Sequence, residues 1–264
     1  MDDHLFLNGV KIVYTLSGSG PPIVLLHGWM CNRRFWSNQV SFFSKTCRVL
    51  APDFRGHGDS SVPREGYHLK NLAEDIHQLI ERLDLSPVTL IGHSMGGMVA
   101  QQFAVNHKRS LSCLVLVTTI AADPENHLIS KRIEAETPHL GFRKAFLKSV
   151  DGWFGQKTSP DIRDWVKEEM LKTPEKVALP LVRSYRRFDL RNSLSCLSIP
   201  VLVMGGGQDV SAVPHESRIL AGTIPGAQLV MLNGVGHFPM IENPKTFNKV
   251  LQKCLEKITD KKGG

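Results

Sequence analysis

The stretch Val88-Thr89-Leu90-Ile91-Gly92-His93-Ser94-Met95-Gly96-Gly97 carries more structural information than any other part of this chain. A β-branched apolar run stands directly before a Gly-x-Ser-x-Gly pentapeptide, and a largely apolar helical segment, Met98 to Val105, stands directly after it. The pentapeptide alone can arise by chance in a turn. A strand before it and a helix after it make it a nucleophile elbow, with the serine on a sharp, strained turn at the carboxyl end of a strand. Glycines flank such a serine because a side chain there would strike the neighbouring strand or helix. Ser94 is the candidate nucleophile.

A serine hydroxyl is a poor nucleophile at neutral pH. It needs an adjacent base, and the base needs an acceptor that fixes its tautomer and stabilises its cationic form. With an elbow serine, the acid and then the histidine are expected downstream. The buried run Val201–Met204 leads into Gly205-Gly206-Gly207-Gln208-Asp209, which delivers a carboxylate just past a strand end. Leu229–Leu232 leads into Gly234-Val235-Gly236-His237-Phe238-Pro239, a glycine-rich loop with one histidine. Asp209 is thus the candidate acid and His237 the candidate base, with Asp123 an alternative acid. His27 and His93, which precede the acid, are expected to order the site loops. For the developing oxyanion, the backbone N–H of Met95 supplies one donor. The Leu25-Leu26-His27-Gly28-Trp29 turn supplies the other, the N–H of Trp29, and the Trp29 side chain lines the pocket or packs beneath a cap.

Outward from the elbow, short β-branched runs alternate with helical patterns, predicting an α/β fold with a mostly parallel sheet and helices on both faces. The candidate strands are 4–7, 11–16, 23–26, 48–51, 88–91, 113–117, 200–204 and 228–232, eight in all. The first two are antiparallel because only Asn8-Gly9 joins them. Leu69, Leu72, Ala73, Ile76, Leu79, Ile80 and Leu83 recur at helical spacing, as do Phe247, Val250, Leu251, Cys254, Leu255 and Ile258. About 80 residues separate Thr118 from Pro200 without a strong strand signal, too many for an ordinary crossover. Helical patterns around Phe142–Trp153, Ile162–Met170 and Val177–Phe188 make this stretch a helical cap. The division is a core of residues 1–120 and 192–264 with a cap of residues 121–191. In Asp53-Phe54-Arg55-Gly56-His57-Gly58-Asp59-Ser60 the glycines form a turn that Asp53 and Arg55 tie down by charge-assisted hydrogen bonds.

Composition narrows the remaining classes. The chain has 264 residues, 42% apolar and 22% charged, as a folded globular protein does. Its apolar runs are far shorter than the roughly 20 residues needed to cross a bilayer, so no membrane span is expected. The start, Met-Asp-Asp-His, shows no basic region followed by an apolar one, which points to a cytoplasmic location. Cys31, Cys47, Cys113, Cys196 and Cys254 are widely spaced and read as free thiols, with Cys31 near the site. The formal charge of +7 is dispersed without a polybasic block, so nucleic acid is not an expected partner. Arg183, Arg186, Arg187 and Arg191 form a local excess that either solvates a helix face or docks an acidic carrier protein. No metal or nucleotide motif is present, and no cofactor is expected.

Through His27-Gly28-Trp29, Asp53-x-Arg55-Gly56-His57-Gly58, Gly92-His93-Ser94-Met95-Gly96-Gly97, Asp209 and Gly236-His237, the chain resembles the capped α/β-hydrolase superfamily over nearly its full length. Within it, the His-Gly-Trp and Gly-His-Ser forms resemble small carboxylesterases of the kind that act on pimeloyl-carrier-protein methyl ester. The resemblance implies a serine carboxylesterase acting through an acyl-enzyme on a small-molecule ester, free or carrier-linked. An enol-lactonase, a thioesterase or a cofactor-free perhydrolase would carry the same triad. A ligand-binding homologue that has lost turnover is the alternative of another class. The aromatic, Met and Leu content of the cap points to an apolar acyl or alkyl chain.

Overall fold

The computed structural model describes residues 2–122, 128–185 and 188–260. Eight strands form one sheet: β1 (Asp2–Leu7), β2 (Val10–Ser17), β3 (Pro22–Leu26), β4 (Arg48–Pro52), β5 (Val88–His93), β6 (Leu111–Val117), β7 (Val201–Gly206) and β8 (Gln228–Leu232). Their spatial order is β1-β2-β4-β3-β5-β6-β7-β8. Pairing is antiparallel for β1/β2 and β2/β4 and parallel from β4 onward. The expected mostly parallel sheet is present, with strand ends within two residues of the sequence reading. Asn8 at φ 51° and Gly9 at φ 78° make the left-handed turn that joins β1 to β2.

The core helices are α1 (Ser37–Phe43), α2 (Leu69–Arg82) and α3 (Met95–Asn106). The chain then runs through α4 (Leu128–Leu140), α5 (Phe142–Val150), α6 (Pro160–Met170), α7 (Glu175–Tyr185) and α8 (Arg191–Leu194) before β7. Helix α9 (Pro214–Thr223) joins β7 to β8, and α10 (Pro239–Glu242) and α11 (Pro244–Asp260) complete the described chain. Parallel strands need right-handed crossovers, so the leftward step from β3 to β4 and the rightward steps after it send their helices to opposite faces. The packing agrees: α1 lies against α11, while α2 packs on α3 and α3 on α8. Strand β7 and most of β5 and β6 are fully buried, as strands covered on both faces must be. Helix α2 turns Leu69, Leu72, Ala73, Ile76, Leu79 and Ile80 inward, the period the sequence shows.

The helices between β6 and β7 form the cap, and an isolated antiparallel bridge between Ala122 and Asp189 closes its neck. Two readings of the cap shift. Trp153 falls in a short 3-10 turn after α5, and Phe188 lies beyond the end of α7. Helix α4 was not foreseen, because its polar residues outnumber its apolar ones and Pro138 sits inside it. Arg186 and Arg187 lie outside the described residues. Of their neighbours, Arg183 pairs with Glu134 at 3.0 Å and Arg191 with Asp189 at 2.6 Å.

Asp53 and Arg55 tie the turn down by charge-assisted hydrogen bonds as the sequence reading has it, each with a partner of its own. Asp53 accepts from the side chain and N–H of Arg33 and from the Asp59 N–H, while Arg55 forks onto the Asp75 carboxylate in α2 at 2.7 and 2.6 Å. The result anchors the 53–60 turn to two separate elements. Among the described residues no helix is long and apolar enough to cross a membrane.

The Arg55–Asp75 pair is almost shut off from solvent, at 11% and 3% side-chain exposure. Removing one partner strands a buried charge. Asp75→Ala is expected to cost about 3–5 kcal/mol of stability, whereas the double change Arg55→Met/Asp75→Leu should recover most of it. Urea unfolding of both variants checks this; a single-variant loss below about 1 kcal/mol would show that the pair does not hold the turn.

Candidate active site

The elbow is formed as its sequence requires. Ser94, between β5 and α3, has φ 52° and ψ −118°, a conformation that non-glycine residues rarely adopt. A Cβ on Gly92 would run into the Gly96 carbonyl, and one on Gly96 into the carbonyls of Leu26 and His27. The strained residue is held by its N–H to the Val117 carbonyl at 3.0 Å and by Gly97 N–H and Thr119 Oγ1 on its own carbonyl at 2.8 and 2.7 Å. Its hydroxyl opens into a cavity at the carboxyl ends of the parallel strands.

Three of the residues singled out in the sequence converge on one line. His237 Nε2 lies 2.9 Å from Ser94 Oγ, and His237 Nδ1 lies 2.9 Å from Asp209 Oδ2. A carboxylate only accepts, so Nδ1 carries the proton and Nε2 is left bare to accept from the serine hydroxyl. The other Asp209 oxygen accepts Ser211 and Ala212 N–H at 2.7 and 3.0 Å, which fixes the carboxylate just past β7. Asp209 and His237 are each 2% exposed. Asp123, the alternative acid, lies outside the described residues.

His27 and His93 are ordering groups. The Phe54 N–H donates to His27 Nε2 at 3.0 Å and Nδ1–H donates to the Gly28 carbonyl at 2.8 Å, tying the loop after β3 to the loop after β4. His93 Nε2–H donates to the His237 carbonyl at 2.8 Å, and Thr118 Oγ1 donates to the same oxygen at 3.0 Å. Burial brings the His27 imidazole down to about 3, and does the same for His57, where the neighbouring His27 adds to it. Burial, with His237 alongside, also holds His93 well below its ordinary range. Cys31 lines the cavity, but burial pushes its thiol well above the usual range and removes it as a competing nucleophile.

Glu242 is a site residue that sequence reasoning missed. Its carboxylate accepts the N–H groups on both sides of His237, Gly236 at 3.0 Å and Phe238 at 2.9 Å. It also accepts Gly155 N–H at 2.7 Å and Thr158 Oγ1 at 2.6 Å from the cap. The His237 N–H donates to the Trp153 carbonyl at 2.7 Å. The base is therefore stitched to the cap segment as well as to the core. The signal was in the sequence: Pro239 opening a helix with Glu242 in its first turn, free to reach back to the N–H groups ahead of it.

The cavity is lined from the core by Trp29, Ser94, Met95 and His237 and from the cap by Trp153, Met170, Val182 and Tyr185. The two alternatives for the Trp29 side chain are both realised: it lines the cavity and its indole N–H donates to the Ala178 carbonyl of α7 at 3.0 Å. Among the described residues no Asp, Glu, Lys or Arg lines the cavity, and no cluster of three or more His, Cys, Asp or Glu is arranged to hold a metal ion.

The alpha/beta hydrolase family model matches residues 23–250 of the chain. Non-heme chloroperoxidase CPO-A1 of Kitasatospora aureofaciens is 30% identical over 271 residues, which span 95% of this chain and 98% of that protein. The structure of a thermophilic esterase from Thermogutta terrifontis superposes with a TM-score of 0.88 at 26% identity, over 98% of this chain and 99% of that one. The enol-lactonase of Burkholderia xenovorans LB400 also superposes at 0.88, with 26% identity over 96% and 100%.

Two predictions follow from this geometry. Histidines that titrate near 6.5 when unfolded and near 3 when folded leave the unfolded chain binding more protons, so stability is complete above about pH 6.5 and is lost on acidification. Between pH 7 and 5 the loss should be about 2 kcal/mol for each of His27 and His57, and a flat urea-unfolding profile over that range would contradict it. Glu242→Gln turns an amide NH2 toward backbone donors. It should cost about 1.5–3 kcal/mol for each charge-assisted bond lost, with faster amide exchange at Gly236 and Phe238.

Proposed function

Because the chain belongs to the alpha/beta hydrolase family, we propose that it is a serine carboxylesterase that cleaves small or medium neutral esters through an acyl-enzyme. The observation that carries this reading is the unbroken relay of two 2.9 Å contacts from Ser94 Oγ through His237 to Asp209. Ser94 Oγ attacks the ester carbonyl carbon while its proton passes to His237 Nε2, and the imidazolium is stabilised by Asp209. The tetrahedral intermediate collapses as His237 returns the proton to the leaving alkoxide. A water molecule, deprotonated by the same nitrogen, then attacks the acyl-serine and releases the carboxylic acid.

The oxyanion needs donors that are already in place. Met95 is the first residue of α3, so its N–H has no acceptor within the helix and sits at the positive end of the helix dipole. A Cβ on Gly28 would fall 3.3 Å from Ser94 Cβ, so the backbone leading into Trp29 runs beside the nucleophile, in support of the Trp29 N–H as the second donor. Residues 121–191 act in this scheme as the cap, which excludes water and holds the acyl or alkyl chain. Lactones are cyclic esters open to the same first step, consistent with the enol-lactonase neighbour.

Ser94→Ala should lower hydrolysis of short p-nitrophenyl esters by at least about 10⁴-fold and abolish fluorophosphonate labelling. Asp209→Asn should cost about 10⁴-fold in kcat by disturbing the histidine tautomer. Full activity in Ser94→Ala would place the nucleophile elsewhere; labelling without turnover of any ester or lactone would favour a binding homologue.

A further inference from the structure

Nearly every polar group facing the cavity has a partner within the protein. Thr118 and Thr119 donate to the carbonyls of His237 and Ser94, the Trp29 indole donates to Ala178, and His93 Nε2 donates to the His237 carbonyl. The bare His93 Nδ1 is covered by Gly28, whose Cβ, if it had one, would lie 2.8 Å from it. Two groups of the cap differ. The Trp153 indole N–H and the Tyr185 hydroxyl are both shut off from solvent, both belong to residues lining the cavity, and neither has a hydrogen-bond partner among the described residues. Trp153 itself is 4% exposed.

A buried hydroxyl or N–H without a partner costs free energy that an apolar side chain of the same shape would not. A phenylalanine at 185 would fill the same space, so the hydroxyl earns its place only if something that enters the cavity satisfies it. Burial, with Cys31 alongside, holds the Tyr185 phenol well above its ordinary range, so it stays protonated and able to donate. The indole only donates. What both offer is a proton, and what they lack is an oxygen acceptor. No charged side chain lines the cavity among the described residues, so that acceptor must be a neutral oxygen.

We propose that the substrate is a neutral ester or lactone carrying a second oxygen acceptor, an ether, carbonyl or hydroxyl oxygen away from the scissile carbonyl, and that Tyr185 is the residue that selects it. This rests on the serine-esterase reading of Ser94 and sharpens it. A plain alkyl chain leaves the Tyr185 hydroxyl unpaired, and a carboxylate-ended chain meets no cation among the described residues that line the cavity.

The test is a set of p-nitrophenyl esters of one chain length: the alkyl ester, a series with one ether oxygen moved along the acyl chain, and the monoester of a dicarboxylic acid. Wild type should favour one ether position over the alkyl ester by about tenfold in kcat/KM, the worth of one neutral hydrogen bond in a closed site. It should disfavour the carboxylate-ended ester by roughly 100-fold or more. Tyr185→Phe should abolish the ether preference, with a melting temperature equal to or above that of wild type, since no protein partner is lost. A lowered melting temperature with the ether preference intact would make the hydroxyl structural and overturn the proposal. So would the absence of any preferred ether position, or rapid turnover of the carboxylate-ended ester. Ester turnover surviving in Ser94→Ala overturns the serine reading and this inference together. Ser94-dependent turnover whose ether preference is unmoved by Tyr185→Phe overturns this inference alone.

Discussion

A single residue held at φ 52° and ψ −118° organises the upper edge of this molecule. Such a conformation costs of order 1–3 kcal/mol and persists only where the surroundings over-determine it. Here β5 drives into Ser94 from one side, α3 leaves on the other, and the glycines at 92 and 96 let the turn press against its own helix and against the carbonyls ending β3. Three hydrogen bonds, from Gly97, from Thr119 and to Val117, hold the peptide groups on both sides of the strain. The sharp turn lifts the hydroxyl out of the packed sheet. It also leaves the first N–H of α3 without an intrahelical partner, next to where the oxyanion of an acyl transfer would form.

The base is fixed by a different means. His237 lies in a glycine-containing loop that would be mobile on its own, and it is immobilised by contacts to its backbone. His93 and Thr118 share its carbonyl, Trp153 takes its N–H, and Glu242 gathers the N–H groups on either side. His93 can serve in this way only because burial keeps it neutral; as a cation its Nδ1–H would press against Gly28 with no acceptor. The two rings lie 4.9 Å apart between centroids, and His93 serves as scaffold for the backbone that carries His237.

The core was legible in the sequence because its signals are local. Strand runs, the Asn8-Gly9 turn, the amphipathic α2 and α11 and the strand-serine-helix elbow are each written within a dozen or so residues. Asp209 and His237 were found by position after a strand, another local cue. What escaped depends on contacts between distant parts. Arg55 finds Asp75 in α2 and Asp53 finds Arg33, each partner 20 residues away in the sequence. Glu242 joins the base to the cap through Gly155 and Thr158, more than 80 residues earlier in the chain, and no periodicity could announce that. Helix α4 escaped for another reason: polar residues outnumber apolar ones in it and Pro138 sits inside it, so its sequence carries no clear helical period.

This division bears on how chemistry and specificity are shared. Ser94 and Asp209 sit just past the buried strands β5 and β7, whereas His237 follows β8, which is mostly half-buried. The opposite wall of the cavity comes from segments that meet the core through polar ties, among them Trp29 to Ala178, Thr173 to Met30 and Asn32 to Glu169, and through the packing of Trp29 on Phe146, Phe35 on Trp165 and Phe238 on Trp153. The two donors without a partner among the described residues belong to Trp153 and Tyr185, which line the cavity from that side, whereas Thr118 and Thr119 of the core are spent on holding the site together. Donors without a partner beside a wall whose polar groups are already committed are where, on the proposed reading, substrate choice would reside.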